Sequence, residues 1–196
     1  LLELSQLESS SIPVKAQKIN LITLLRGLIF SFESLAKEKN IKFLMENVEE
    51  TIFAWIDREK FEKIINNLVS NAFKFTKHEG RINICIKRIV VDQYYFAEIK
   101  VSDTGIGISQ AKLEKIFDRF YQIDDSIHRT YGGSGIGLAL VKELVDLHKW
   151  DISVSSKNGE GAEFYLKIPL AEDYLDENQK VTQSPTQYSI VENGKY

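Results

Sequence analysis

From Asn20 the apolar positions Leu21, Leu24, Leu25, Leu28, Phe32 and Leu35 recur at spacings of three and four, which predicts one amphipathic helix, capped by Asn20 and ending near Asn40. The stretches IKFLMEN (41–47) and TIFAWID (51–57) read as strands. Asp57 then sits where it would cap a long helix with Phe61, Ile64, Ile65, Leu68, Ala72 and Phe75 on one face. In RINICIKRIV (81–90), Ile82, Ile84 and Ile86 fall on one side of an alternating strand; YYFAEIKVSD (94–103) follows the polar pair Asp92–Gln93 as its hairpin partner. From Ser109 to Leu140 no period is sustained, so this segment reads as a long polar, aromatic and glycine-rich loop of the kind that carries function. Leu138, Val141, Leu144 and Val145 then restore a helical period, and WDISVSS (150–156) with AEFYLKIPL (162–170) make a closing hairpin around Asn158–Gly161. Strand pairs alternating with helices predict an α+β fold: a two-layer sandwich with a mostly antiparallel, mixed sheet covered on one face by helices.

The ends differ from this body. LLELSQLE begins in the middle of a helical pattern with no cap before it, so residues 1–12 read as the remnant of a preceding helix. Residues 13–170 form the domain, and 171–196, polar and without a period, read as a linker or tail lacking order of its own. With 43% hydrophobic residues the 196-residue chain has enough apolar material for a sizeable core, which excludes disorder throughout. A net charge of −3 gives no electrostatic reason to expect nucleic acid or an anionic membrane as partner. Cys85 stands alone and no Asn-x-Ser/Thr acceptor occurs, which points to a reducing, cytoplasmic setting. No apolar run reaches the roughly 18 residues of a membrane span.

Three stretches carry candidate chemistry. YGGSGIGLAL (131–140) sets four glycines directly before a helix, an arrangement that brings bare amides and the positive helix end to an anion. Neither the dinucleotide fingerprint nor the Gly-Lys-Ser/Thr loop fits its register. On the long helix Lys63, Asn67, Asn71 and Lys74 stand in one row opposite the apolar stripe. A solvated face explains such a row, yet asparagine is a poor helix former, and amide oxygens suit Mg²⁺ that keeps waters and phosphate oxygens as its other ligands. Asp103 ends a strand and is followed by Gly105 and Gly107; Asp-Thr-Gly alone also fits an aspartic protease, but no second such carboxylate loop exists in the chain.

Taken together, NNLVSNAFKFT resembles the N box, DTGIGI the first glycine box, FDRFYQ the F box, GGSGIGLAL the second glycine box and NGEGAEF (158–164) a further glycine box of the bacterial sensor histidine kinases. Five boxes in order across residues 66–164 make the combination specific, and the resemblance covers roughly residues 20–170, with LLELSQLE resembling the end of a dimerisation helix. It implies a Bergerat-type ATP-binding domain of the wider GHKL class, with ATP and Mg²⁺ as cofactors. Asn71 would bind Mg²⁺, with Asn67 facing the nucleotide one turn earlier and Lys74 near the phosphates. Asp103, flanked by Gly105 and Gly107, would recognise the adenine amino group. Gly133, Ser134, Gly135, Ile136, Gly137 and Leu138 would shape the lid and phosphate loop. Phe117 and Phe120 match the F-box aromatics on that lid, where Arg119 and Arg129 are within reach of phosphate.

The family's phosphoacceptor histidine, in its His-acid-Leu-Arg-Thr-Pro context, has no match here: His78, His128 and His148 all lie elsewhere. The resemblance therefore implies a catalytic domain that donates the γ-phosphoryl of Mg-ATP to a histidine on an adjoining dimerisation domain, within a homodimeric parent that relays to a response regulator. Two rivals stand beside it. One is a binding module that holds nucleotide without transfer; the other is a GHKL-type ATPase, for which Glu62 offers a carboxylate on the N-box helix.

Overall fold

The computed structural model describes residues 13–122, 135–171, 173–176 and 179–180. A short strand, β1 (Gln17–Asn20), leads into helix α1 (Leu21–Phe30), whose first turn is capped by the Asn20 side chain accepting from the Ile22 amide at 3.1 Å. The single helix expected up to Asn40 is in fact two. The Ser31 amide and hydroxyl both turn back to the Leu28 carbonyl, at 3.2 and 2.6 Å, which ends α1, and α2 (Glu33–Glu38) restarts after Phe32. The apolar period survives the break because Leu28, Phe32 and Leu35 still pack on the core.

The main sheet has the order β2 (Lys42–Asn47), β4 (Arg81–Val91), β5 (Tyr94–Asp103), β7 (Ala162–Pro169), β6 (Asp151–Ser156); only β2 and β4 are parallel. The β4–β5 hairpin closes through Asp92 and Gln93, both at positive φ, the conformation a two-residue turn requires. Strand β3 (Phe53–Ile56) leaves this sheet to pair with β1 in a separate antiparallel ribbon, which the sequence pattern did not reveal because four residues are too few to show a period.

Alternation decides which face is covered. Ile82, Ile84, Ile86, Ile99, Val101 and Leu166 are buried, whereas Lys100, Glu163 and Tyr165 on the opposite face are joined by polar contacts. Helices α3 (Arg58–Phe75) and α5 (Gly137–Leu147) pack against each other, with α3 also against β5 and α5 against β6, so the sheet carries helices on one side, as expected. Asp57 caps α3 through the Lys60 amide, as read from the sequence. The apolar stripe differs at its end: Phe73 is buried between Phe32 and Phe43, while Phe75 is only half-buried. Phe73 lies four residues beyond Val69 and eight beyond Ile65, so it continues the i+4 row that Phe75 leaves. The expected loop after Ser109 holds a short helix, α4 (Gln110–Leu113), and begins α5 at Gly137.

Candidate functional site

The polar row on α3 survives in the structure, with Asn67, Asn71 and Lys74 half-buried on the helix. The Asn67 amide donates to the Lys63 carbonyl at 2.8 Å, which fixes its oxygen outward toward α5. Gly137, the first residue of α5, lies against that oxygen: a Cβ at this position would come within 2.7 Å of Asn67 Oδ1. Close approach of backbone to the asparagine is therefore what requires glycine there. The Asn71 side chain, one turn further, makes no hydrogen bond among the described residues. The Lys74 ammonium lies over the Phe75 ring, 4.8 Å from its centre, and burial pushes its pKa below that of an ordinary lysine.

At the C-terminal end of α3 the first glycine loop comes in. Gly105 packs on the Phe75 carbonyl, and its amide donates to Asp103 Oδ1 at 2.8 Å, closing a local turn around the carboxylate. Burial raises the Asp103 pKa above the ordinary carboxylate value; amides of Gly105 and Ala162 oppose this without overcoming it, and no cation among the described residues contributes. Gly161 is at φ +86 and lies directly on the Asp103 carbonyl, where any side chain would collide. Ser156 completes this joint by accepting from the Ile108 amide at 2.8 Å and donating to the Gly161 carbonyl at 2.6 Å. Sequence reasoning missed Ser156, which carries no motif signal; Gly161 was visible only as part of the NGEGAEF segment.

On the other side, the Phe120 amide donates to the Gly135 carbonyl at 3.1 Å, so the F-box segment and the start of the second glycine segment touch. Ile136 and Leu138 pack partly buried on the core. The contacts thus run in one chain from Phe120 through Gly135 and Gly137 to Asn67, along α3 to Phe75, and on to Gly105 and Asp103. Two expected site residues stand apart from this chain, and a third joins it through its backbone alone. Gly107 turns to the Lys157 carbonyl in the β6–β7 turn; Phe117 is anchored edge-to-face on Phe164, 6.5 Å between centres; and Phe120, at 59% exposure, points its ring to solvent. Arg119 is paired with Glu143 of α5 at 2.7 Å, and Glu62 with Arg58 at 2.7 Å. Arg129, Gly133 and Ser134 lie outside the described residues, as does His128.

A hydrogen-bonding carboxylate at one end, amide oxygens and a lysine in the middle and a glycine-opened helix at the other form an elongated polar site. Such a site suits a ligand with a flat hydrogen-bonding ring and an anionic tail. Residues 56–172 match the family described as histidine kinase-, DNA gyrase B- and HSP90-like ATPase. Hybrid signal transduction histidine kinase D of Dictyostelium discoideum is 35% identical over 197 residues, covering 100% of this chain. Full-length ShkA, solved in complex with AMPPNP, superposes with a TM-score of 0.75 over 87% of this chain at 26% identity. Histidine kinase ThkA, solved in complex with the response regulator protein TrrA, gives 0.68 over 87% at 26% identity. The chain spans only 13% of the Dictyostelium protein and 34% and 49% of the two solved chains. Among the described residues no helix is long and apolar enough to cross a membrane.

Proposed function

Because the chain belongs to the histidine kinase-, DNA gyrase B- and HSP90-like ATPase family, as an ATP-binding catalytic domain of the sensor histidine kinase type, we propose that it holds Mg-ATP along the site just described and serves phosphoryl transfer to a histidine. The observation that carries this reading is the contact between Asn67 and Gly137, which joins the polar row of α3 to the open end of α5.

The roles follow the chemistry of each group. The half-buried Asp103 carboxylate accepts from the amine at C6 of adenine, where guanine carries a carbonyl, and so favours adenine over guanine. Asn71 would hold Mg²⁺ through its amide oxygen, and the ion would supply charge neutralisation at the phosphates. Asn67 borders the same phosphates, and Lys74 adds charge, its partial burial strengthening the attraction to an anion. The α5 amides after Gly135 present their donors to the phosphate tail. These residues bind, orient and screen; transfer of this kind depends on alignment and charge neutralisation and asks little covalent chemistry of the protein.

The acceptor is a histidine of an adjoining dimerisation domain in a homodimeric parent, and the response regulator is the onward partner; the ThkA–TrrA complex supports that partnership. The test is transfer from radiolabelled Mg-ATP. This chain alone should gain no label, while a separately supplied dimerisation fragment of the same parent should gain an acid-labile phosphohistidine that disappears with Asn71→Ala. Label on this chain that survives replacement of His78, His128 and His148 would overturn the reading.

A further inference from the structure

The nucleotide reading leaves the opposite end of the two helices unused, and there the chain is tied to itself. The lead-in residues Val14 and Ala16 are buried with Leu175, 159 and more positions later in the chain, in a small apolar cluster separate from the main core. Around it the bonds are specific. The Ala16 amide donates to the Gln179 carbonyl at 2.7 Å, and Ala16 pairs with Lys180 as a parallel bridge on the free side of β1. The Tyr174 hydroxyl donates to the Trp55 carbonyl of β3 at 2.5 Å and accepts from Trp150 Nε1 at 3.4 Å. Leu147, the last residue of α5, packs against the same cluster.

The lead-in segment is also bound from the other side, by α3. The Lys15 amide donates to Asp57 Oδ2 at 3.0 Å, and the Lys60 ammonium donates to the Pro13 carbonyl at 3.3 Å. Residues 13–16 are thus clasped between the start of α3 and a returning segment that also grips the end of α5. Both helices of the candidate site are held here by the ends remote from Asn71 and Gly137.

We propose that Tyr174 and Leu175, with Gln179 and Lys180, form a strap that fixes the lead-in segment to the C-terminal end of α5, so that releasing the strap frees both together. The expectation of an unstructured linker from residue 171 misses this because two apolar side chains, Tyr174 and Leu175, make no period. Their effect depends on reaching back to residues that the sequence places far away. A partner that pulls on the lead-in segment acts through the strap on α5 without deforming the sheet.

The test uses the intact chain and no nucleotide, so its outcome is independent of the ATP reading. In Leu175→Asp a charge enters the small cluster, and site-resolved amide hydrogen exchange should quicken at least tenfold at Ala16 and, in step, at Trp150, whose amide donates to the Val145 carbonyl at 3.0 Å. Amides of Ile84 and Ile99 in the sheet centre should keep their protection. The chain's two tryptophans both touch Tyr174, so emission should shift to longer wavelength. Tyr174→Phe keeps the ring and removes only the hydroxyl bonds, and should produce the same pair of increases in smaller measure. An unchanged Ala16 amide in Leu175→Asp, or an Ala16 amide freed while Trp150 stays protected, overturns the strap. If Leu175→Asp exposes every amide alike, Tyr174→Phe decides: no paired change at Ala16 and Trp150 rejects the proposal.

Discussion

Two aspartates mark the two ends of α3, and their surroundings push them in opposite directions. Asp57 is 5% exposed, and burial alone would raise its pKa; the Lys60 ammonium at 2.6 Å, with the Lys15 and Lys60 amides, outweighs that and holds it below the ordinary value. Asp103 is half-buried and, among the described residues, has only the amides of Gly105 and Ala162 to offset this, so burial wins and its pKa is raised. Asp57 is fully engaged: it caps α3 and ties the lead-in segment. At Asp103 burial is not fully offset by the surrounding amides, and the proposed function assigns that carboxylate to a ligand. The lead-in end is finished structure, whereas the Asp103 end is where the proposed function puts the nucleotide base.

Breaking the finished end should cost the most stability. Asp57→Ala removes a helix cap and leaves the partly buried Lys60 unpaired, for an expected loss of about 2–4 kcal/mol. At about 2–4 °C per kcal/mol for a chain of this size, calorimetry would record a large fall in melting temperature. Asp57→Asn retains the cap and should lose less. A result within about 0.5 kcal/mol of the parent for Asp57→Ala would contradict the engaged role.

Breaking the other end should cost binding instead. Asp103→Ala should weaken adenine nucleotide binding by about tenfold or more, the worth of one charge-assisted hydrogen bond, and erode the preference for adenine over guanine. Thermal stability should move far less than in Asp57→Ala. Equal affinity for both nucleotides in the parent chain would remove Asp103 from that role.

Acid should separate the two ends by sign. The depressed Asp57 pKa lends stability that is present above the unfolded value of 3.8 and lost as pH falls through the lower folded value. The raised Asp103 pKa works the other way: its cost is present above the folded value and relieved as pH falls toward 3.8. His148, 2% exposed against Trp150, adds a window nearer neutrality, because burial lowers its pKa beneath 6.5 and the folded state holds it neutral. Its share of stability is complete above pH 6.5 and declines as pH falls below that toward the folded value. Melting temperature against pH should therefore fall between pH 7 and 5 in the parent and fall less in His148→Gln. The smallest effect belongs to an exposed pair on the surface of α5. Lys142→Ala, which removes a surface bridge to Asp146, should change stability by under about 0.5 kcal/mol.

Much of the finished scaffold was legible in the sequence, because it is written locally. The α3 cap and stripe, the β4–β5 hairpin and the covered sheet face all follow from spacing within one element. What escaped is written at a distance. Strand β1 is defined by β3, Ser156 by the loop at Ile108, and Leu175 by Val14, and none of these carries a periodic signal of its own. At the site, the residue types on α3 and around Asp103 announced their chemistry, but the reason for glycine at 137 appears only when α5 is laid against Asn67. Gly107 shows the converse, since its place in a glycine box reads as ligand contact while its neighbour is the Lys157 carbonyl.

The central claim is that the polar row of α3 holds Mg-ATP, and titration calorimetry with AMPPNP tests it most directly. The parent chain should bind more tightly with Mg²⁺ than without it. Asn71→Ala should lose most of that Mg²⁺ dependence, at a cost of about tenfold or more in affinity, while its ligand-free melting temperature stays close to the parent's. Binding that is indifferent to Mg²⁺ in the parent, or an Asn71→Ala variant that binds Mg-AMPPNP as the parent does, would contradict the account.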